Sequence, residues 1–152
     1  MDELTSLIFA LESKIPFYET ENKRVSNADV GWHLQHSLLV INGIIKSLEK
    51  SNPKEYKWSF NYKKMLVLIS GKIPRGVGRA PKSVQPTEVI SKALLVQETE
   101  LAKASIALLS AMHPDQHFLH PYFGKLNVKP TIKFLKIHTR HHLHIINDML
   151  RK

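Results

Sequence analysis

Histidines are concentrated in the last twenty residues of the chain, within the segment KIHTRHHLHII. Four of them occupy seven positions, and two of these, His138 and His142, are four residues apart. On a helix this spacing places both rings on one face, where they can bind the same metal ion. Because two ligands alone bind a metal weakly, a third ligand must come from another part of the chain.

A second segment, VGWHLQHSL, offers His33 and His36 as the third ligand. Both lie toward one edge of the apolar arc of a helix, and His33 lies slightly nearer its centre, so periodicity leaves both open. Three imidazoles leave coordination positions for water or substrate, which is typical of a reactive metal site. The acceptor for the second ring nitrogen of each ligand is also open, with Gln35, Asp148 or a backbone carbonyl as candidates.

The alternative to a metal site is a set of buried, hydrogen-bonded or solvated histidines. His141 and His144 fall outside the apolar stripe of the last helix, so we expect them to face solvent or to contact the metal ligands from outside. His113, His117 and His120 precede that helix in a loop, where they could line a pocket. We do not expect these three to be ligands.

Apolar residues at three-four spacing predict the elements that must position these side chains. The pattern predicts a short additional helix from residue 58 or 61 to 69, and it predicts no strand. We therefore expect an all-α protein, a four-helix bundle formed by a single domain of residues 1–152. The four long helices are expected at 2–13, 28–49, 89–112 and 128–150.

Capping residues predict where the long helices begin. Ser26 or Asn27 is expected to cap the second helix, with Asp29 in its first turn. Thr87 is expected at the start of the third, and Asn127 caps the last. The apolar stripe predicted for the second long helix consists of Val30, Leu34, Leu38, Ile41, Ile45 and Leu48, and that predicted for the third consists of Ile90, Leu94, Leu101, Ile106 and Leu109.

The chain is strongly basic, with a formal net charge of +9. Residues 56–87 contain seven Lys or Arg and no acid, and residues 128–152 contain six Lys or Arg against one acid, Asp148. Such a charge attracts nucleic acids, anionic membranes or acidic ligands. Aromatic residues make up only 8% of the chain and no nucleic-acid motif is present, so nucleic acid is not the expected partner.

Composition also limits the cellular setting and the metal ligands. The chain contains no cysteine, which excludes disulfides and thiolate ligands. No apolar run approaches the roughly 18 residues of a membrane-spanning helix. The acidic start MDELTSLIFALESK does not fit a secretory signal, so we expect a cytoplasmic protein.

Four blocks of sequence together carry a resemblance to a known family. On these blocks the chain resembles the DinB-like superfamily, and most closely its branch known as domain of unknown function 1569. The resemblance covers most of the chain. The blocks are VGWHLQHSLLVING, GKIPRG with RAPKS, HPYFGKLN, and FLKIHTRHHLHIINDM.

The resemblance implies an up-down-down-up arrangement of the four helices and a bound divalent metal. The family's first ligand precedes an apolar LLV-like segment, which corresponds to His36. The family's H-x-x-x-H pair corresponds to His138 and His142. The implied metal is zinc, nickel or iron, and many members form homodimers.

The resemblance further implies a metal-dependent enzyme with a small-molecule or thiol substrate, either thiol transferase-like or hydrolase-like. A non-catalytic ligand-binding or interaction module is the first alternative, and a nucleic-acid-binding protein is the second. The basic loop 71–87 distinguishes this chain from an average member. Its Lys72, Arg75, Arg79 and Lys82 could bind a carboxylate or phosphate, unless the loop is simply solvated.

Overall fold

The protein is mostly helical. The structure, a computed structural model, describes residues 2–76, 80–86 and 89–151. Short 3-10 turns connect several of the helices, and a small antiparallel sheet is also present. In the described residues the helices are α1 (Glu3–Glu12), α2 (Val30–Lys50), α3 (Tyr62–Ser70), α4 (Lys92–Leu108) and α5 (Val128–Leu150), and the strands are β1 (His117–His120) and β2 (Gly124–Asn127).

The longer helices share a buried apolar cluster. Both α1 and α2 pack against α4 and α5. The prediction of a mainly helical protein is therefore confirmed. The whole predicted apolar set of α2 is buried, as expected from its periodicity, and each such side chain contributes roughly 1.5–3 kcal/mol. This set consists of Val30, Leu34, Leu38, Ile41, Ile45 and Leu48.

The residue that caps the N-terminus of α2 is not the one predicted. Asp29 is the N-cap, and its Oδ1 accepts a hydrogen bond from the backbone N–H of Trp32 at 2.6 Å. The expectation of a cap at Ser26 or Asn27 was wrong. The Ser26 hydroxyl instead accepts a hydrogen bond from the backbone N–H of Ala28 at 3.1 Å, and its oxygen lies 2.9 Å from Nε2 of His33. It therefore bonds to these groups and does not cap α2.

The prediction that the chain has no strand was also wrong. β1 and β2 form a hairpin in which His117 pairs with Asn127 and His120 pairs with Gly124. Gly124 has a φ of 71°, the left-handed conformation that a three-residue hairpin loop commonly requires after its turn. Four-residue strands are too short to show sustained alternation, which is why periodicity missed them.

Helix α4 begins later than expected, and its fully buried residues are not those of the predicted stripe. Its N-cap is Ser91, whose hydroxyl accepts from the N–H of Leu94 at 3.2 Å. The start predicted at Thr87 was wrong, and Thr87 itself lies outside the described residues. The buried face of α4 consists of Leu95, Thr99 and Ala102, whereas Leu101 of the predicted stripe is 51% exposed.

The other predicted helices agree with the structure. Helix α5 begins directly after Asn127 and ends at Leu150. The short helix α3 begins after Asn61, whose side chain accepts from the N–H of Lys64 at 2.9 Å. Because α2 and α5 pack side by side, the histidines of their facing sides can meet.

Candidate metal centre and adjoining cavity

Three histidines from two helices converge between α2 and α5. His36 of α2 and His138 and His142 of α5 each offer a ring nitrogen, and these three nitrogens lie within 4.8 Å of one another. The His138 and His142 ring centroids are 4.6 Å apart, as expected from their spacing of one helical turn. Such a group of three nitrogens could hold a metal ion.

The contact between His36 and His138 has the dimensions of a shared metal site. Their Nε2 atoms are 3.2 Å apart. Two nitrogens bound tetrahedrally to one zinc ion, each about 2.0–2.1 Å from it, are about 3.4 Å apart. The observed distance therefore needs only a small adjustment for both rings to bind one cation.

A backbone carbonyl orients the His36 ring. Its Nδ1 lies 2.7 Å from the carbonyl oxygen of Val84, which can only accept, so Nδ1 must carry the proton. The lone pair of this neutral ring is then on Nε2, facing His138. This is the arrangement by which an outer hydrogen bond fixes a metal-binding tautomer. Trp32 also holds the ring by stacking on it, with centroids 4.9 Å apart and an interplanar angle of 16°.

His33 contacts the group through His142. Its Nδ1 is 3.0 Å from the Nδ1 of His142, and its Nε2 is 2.9 Å from the hydroxyl of Ser26. The structure thus brings His36, not His33, together with the His138–His142 pair, while His33 is a hydrogen-bond partner of His142. The chain of contacts runs from His142 through His33 to Ser26.

His138 has an unsatisfied nitrogen. Its Nδ1 is buried and has no hydrogen-bond partner among the described residues. Its Nε2 contacts only another imidazole, that of His36. An imidazole so poorly supplied with protein partners is unusual in an interior. A cation shared with His36 would bind the Nε2 atom and would leave Nδ1 without a partner among the described residues. Gln35, predicted as a possible acceptor, also has a buried Oε1 without a partner in the described chain.

Burial keeps these rings neutral, which is the form that binds metals. Desolvation lowers the pKa of His33 to about 4 and lowers the pKa of His36, although the Val84 carbonyl opposes that shift. Desolvation, assisted by neighbouring histidines, holds the pKa values of His138 and His142 well below the usual range. At neutral pH the group therefore presents lone pairs and not positive charges.

The histidine group lies at the wall of a cavity of about 450 Å³, a volume suited to a small molecule. All three convergent histidines line this cavity, together with aromatic and aliphatic residues of α2, the hairpin and α5. No Asp, Glu, Lys or Arg is among the lining residues in the described ranges. The cavity is thus mainly apolar apart from its imidazoles.

The loop 71–87 contributes apolar groups, and not its basic side chains, to the described cavity wall. Ile73, Pro74 and Val84 line the cavity, whereas Lys72, Arg75 and Lys82 do not. Arg75 instead donates to Asp148 at 2.7 Å. This ion pair also removes Asp148 as the expected partner of a histidine. Arg79, predicted beside the pocket, lies outside the described residues.

The remaining histidines divide clearly by position. His120 lines the cavity, the position in a pocket wall that the sequence predicted for it, and His141 lines the cavity as well. His144 is exposed, in agreement with the expectation that it faces solvent. His113 is exposed and His117 is buried, but neither lines the cavity.

Sequence reasoning missed two aromatic residues and one backbone group of the site. Trp32 precedes His36 by four residues and Phe134 precedes His138 by four, so a search of the same helical faces would have found both. Their rings are 4.9 Å and 5.6 Å from those histidines. The Val84 carbonyl could not have been found, because a loop contact between residues so distant in sequence leaves no periodic signal.

Comparisons of the chain with family models, with curated proteins and with solved structures found no match. The site is therefore interpreted from its own geometry. In the described part of the chain, none of the helices combines the length and apolar character needed to cross a membrane.

Proposed function

We propose that the protein is a metal-dependent enzyme in which His36, His138 and His142 hold one divalent cation. The observation that carries the proposal is the convergence of three neutral imidazoles at the wall of a small-molecule cavity. Three protein ligands leave coordination positions for water or substrate. Zinc, nickel and iron all accept imidazole nitrogen, and the absence of cysteine leaves imidazoles and carboxylates as the available ligands.

The proposed class is thiol transferase-like or hydrolase-like chemistry within the DinB-like superfamily, with a small-molecule or thiol substrate. The proposal includes the family's up-down-down-up helical bundle, a homodimer and a cytoplasmic location. The sequence blocks support the family, and the packing of α1 and α2 against α4 and α5 is compatible with its architecture.

The chain's own residues have separable tasks in this proposal. His36 is oriented by the Val84 carbonyl and by stacking on Trp32. With a cation on the Nε2 atom of His142, its Nδ1–H would donate to Nδ1 of His33, and the Nε2–H of His33 would then donate to the Ser26 hydroxyl. The apolar wall excludes water around the substrate. A divalent cation held by His36, His138 and His142 would supply Lewis acidity and would lower the pKa of a bound water or thiol.

The experiment is a comparison of metal-loaded and chelator-treated protein in reactions of a low-molecular-weight thiol with a panel of electrophiles and esters. We expect turnover that depends on the metal and disappears in His138→Ala. The exposed neighbour on the same helix supplies the matched control, His144→Ala, which should retain turnover. Equal turnover in wild type and His138→Ala would reject the proposal.

A non-catalytic ligand-binding module is the second candidate, and one observation favours it. Catalysis by proton transfer needs an acid or base beside the reacting group, and no carboxylate lines the cavity in the described ranges. Under this alternative the metal-loaded protein binds small apolar ligands but turns none of them over.

Nucleic-acid binding is supported less by the structure than by the net charge. Several basic residues near α5 are neutralised by nearby carboxylates, which reduces the positive charge available to phosphates. The Nζ atom of Lys136 lies 3.2 Å from Oδ1 of Asp2, and the guanidinium of Arg140 forms an ion pair with the Glu3 carboxylate. Salt-dependent binding of DNA or RNA would be the evidence for this candidate.

A further inference from the structure

The hairpin places one histidine of the loop before α5 in the wall of the cavity. His120 is the last residue of β1 and lines the cavity, whereas His113 does not. The Phe134 ring links it to the metal-binding group, because this ring is 4.8 Å from His120 and 5.6 Å from His138. His120 is thus close to the histidine group but is not one of the three converging residues.

The hairpin turn determines which nitrogen of His120 carries its proton. The Nδ1 atom accepts hydrogen bonds from the backbone N–H groups of Tyr122 at 3.1 Å and Phe123 at 3.2 Å. A nitrogen that accepts hydrogen bonds must present its lone pair. The neutral ring therefore carries its proton on Nε2 and is a hydrogen-bond donor there.

Aromatic contacts fix the direction of this donor. The His120 ring stacks on Phe123 with centroids 4.1 Å apart and an interplanar angle of 6°. Phe134 packs against it edge-on, at an interplanar angle of 78°. The Nε2 atom of His120 has no hydrogen-bond acceptor among the described residues, and these residues do not enclose it completely. A rigid donor thus remains available to a molecule in the cavity.

The character of the wall limits the ligand that such a donor can bind. The described lining is mainly apolar, and desolvation of an anion in apolar surroundings is costly. A carbonyl or ester oxygen requires only a neutral donor. The apolar residues around it favour a hydrocarbon or aromatic remainder.

We infer that His120 is a substrate-binding residue, whose Nε2–H donates to an uncharged carbonyl-type oxygen of a small, largely apolar substrate. This inference rests on the proposed function, because it takes the cavity beside the three imidazoles as the substrate site. His120 here positions the substrate and selects it over an analogue that lacks the oxygen.

The test uses two probes of nearly the same shape, acetophenone and α-methylstyrene, in which a methylene group replaces the carbonyl oxygen. Their dissociation constants are measured by chemical-shift titration of zinc-loaded wild type and of His120→Phe. The phenylalanine ring retains stacking on Phe123 but has no donor. We expect acetophenone to bind about fivefold more weakly to the variant, the effect of one hydrogen bond, while α-methylstyrene is unchanged.

Two further variants separate a specific contact from a change in folding. His120→Gln retains a donor near the Nε2 position and should restore part of the preference for acetophenone. His113→Phe is the matched control, because His113 Nδ1 also accepts from a backbone N–H two residues later but lies outside the cavity lining. It should leave both affinities unchanged. In wild type, long-range proton–nitrogen NMR should show the Nε2–H form of His120.

The inference is overturned if His120→Phe weakens both probes equally, if it weakens neither, or if His120 carries its proton on Nδ1. Absence of acetophenone binding at millimolar concentration also overturns it. Metal content is measured on the same samples. If zinc binds but the protein does not discriminate between the two probes, only the role of His120 is rejected. If the protein discriminates between the probes but does not bind zinc, only the proposed metal site is rejected.

Discussion

The Nδ1 atom of His33 lies 3.0 Å from the Nδ1 atom of His142, although the two residues are 109 positions apart in the chain. Helix α2 therefore contributes two histidines with different tasks. His36 joins the convergent group, and His33 supports one of its members. Because His33 also contacts Ser26 at 2.9 Å, the support continues to the segment that precedes α2.

Removal of His33 should weaken metal binding without abolishing it. We expect His33→Ala to lower zinc affinity about 10–100-fold, the usual effect of removing an outer hydrogen-bond partner of a ligand. His36→Ala should cost more, because it removes a ligand itself. Competition with a chromophoric chelator measures both affinities. A larger loss in His33→Ala than in His36→Ala would exchange the roles assigned to these residues.

Zinc should stabilise the fold through the same histidines. A ligand at 100 times its dissociation constant adds about 2.7 kcal/mol to the free energy of unfolding, so the melting temperature should rise by several degrees. Calorimetry with zinc and with chelator measures the shift. His138→Ala should show no zinc-dependent shift. A shift of equal size in that variant would place the bound zinc elsewhere.

The pH dependence of stability should depend on His120. Burial lowers its pKa to about 4, whereas a histidine in an unfolded chain titrates at about 6.5. As the pH falls below about 6.5 the unfolded chain binds this proton while the folded protein does not, until about pH 4. The neutral ring therefore contributes fully to the free energy of unfolding above about pH 6.5. This contribution is lost as the pH falls from about 6.5 to the folded-state pKa of about 4.

This residue alone should reduce the free energy of unfolding by up to about 1.4 kcal/mol per pH unit within the window. His120→Phe should show a correspondingly shallower decrease in metal-free protein. Urea denaturation at a series of pH values gives the slopes. Identical slopes in wild type and variant would show that His120 titrates alike in the folded and unfolded states.

The start of α2 can be tested by a pair of neighbouring substitutions. Asp29→Ala should lower the free energy of unfolding by about 1 kcal/mol, because it removes the acceptor for the N–H of Trp32. Asn27→Ala should have an effect within about 0.5 kcal/mol, the usual range for a surface change. Urea denaturation compares them. A greater cost at Asn27 would restore the cap expected from the sequence.

The sequence was most informative where a long helix repeats its apolar spacing. All six residues predicted for the buried face of α2 are buried, and α5 ends at the predicted residue, Leu150. The spacing of His138 and His142 likewise predicted neighbouring rings. In these cases the relevant interaction lies within one helix, where the backbone geometry alone determines which side chains are neighbours.

The sequence was less informative where long-range contacts decide the structure. Periodicity left His33 and His36 both open as the third member of the group, and only the packing of α2 against α5 brings His36 to the pair. In α4 the apolar residues are dispersed, so the stripe containing Leu101 was chosen although Leu95 faces the interior. The hairpin that positions His120 depends on pairing between two short strands, which local propensity cannot reveal.

Measurement of metal stoichiometry tests the central claim most directly. Purified wild type, His142→Ala and the matched control His144→Ala are loaded with zinc, passed through a desalting column and examined by elemental analysis. We predict one zinc ion per chain in wild type and His144→Ala, and none in His142→Ala. Absence of bound zinc, nickel or iron in wild type, or an unchanged metal content in His142→Ala, would contradict the three-histidine metal site.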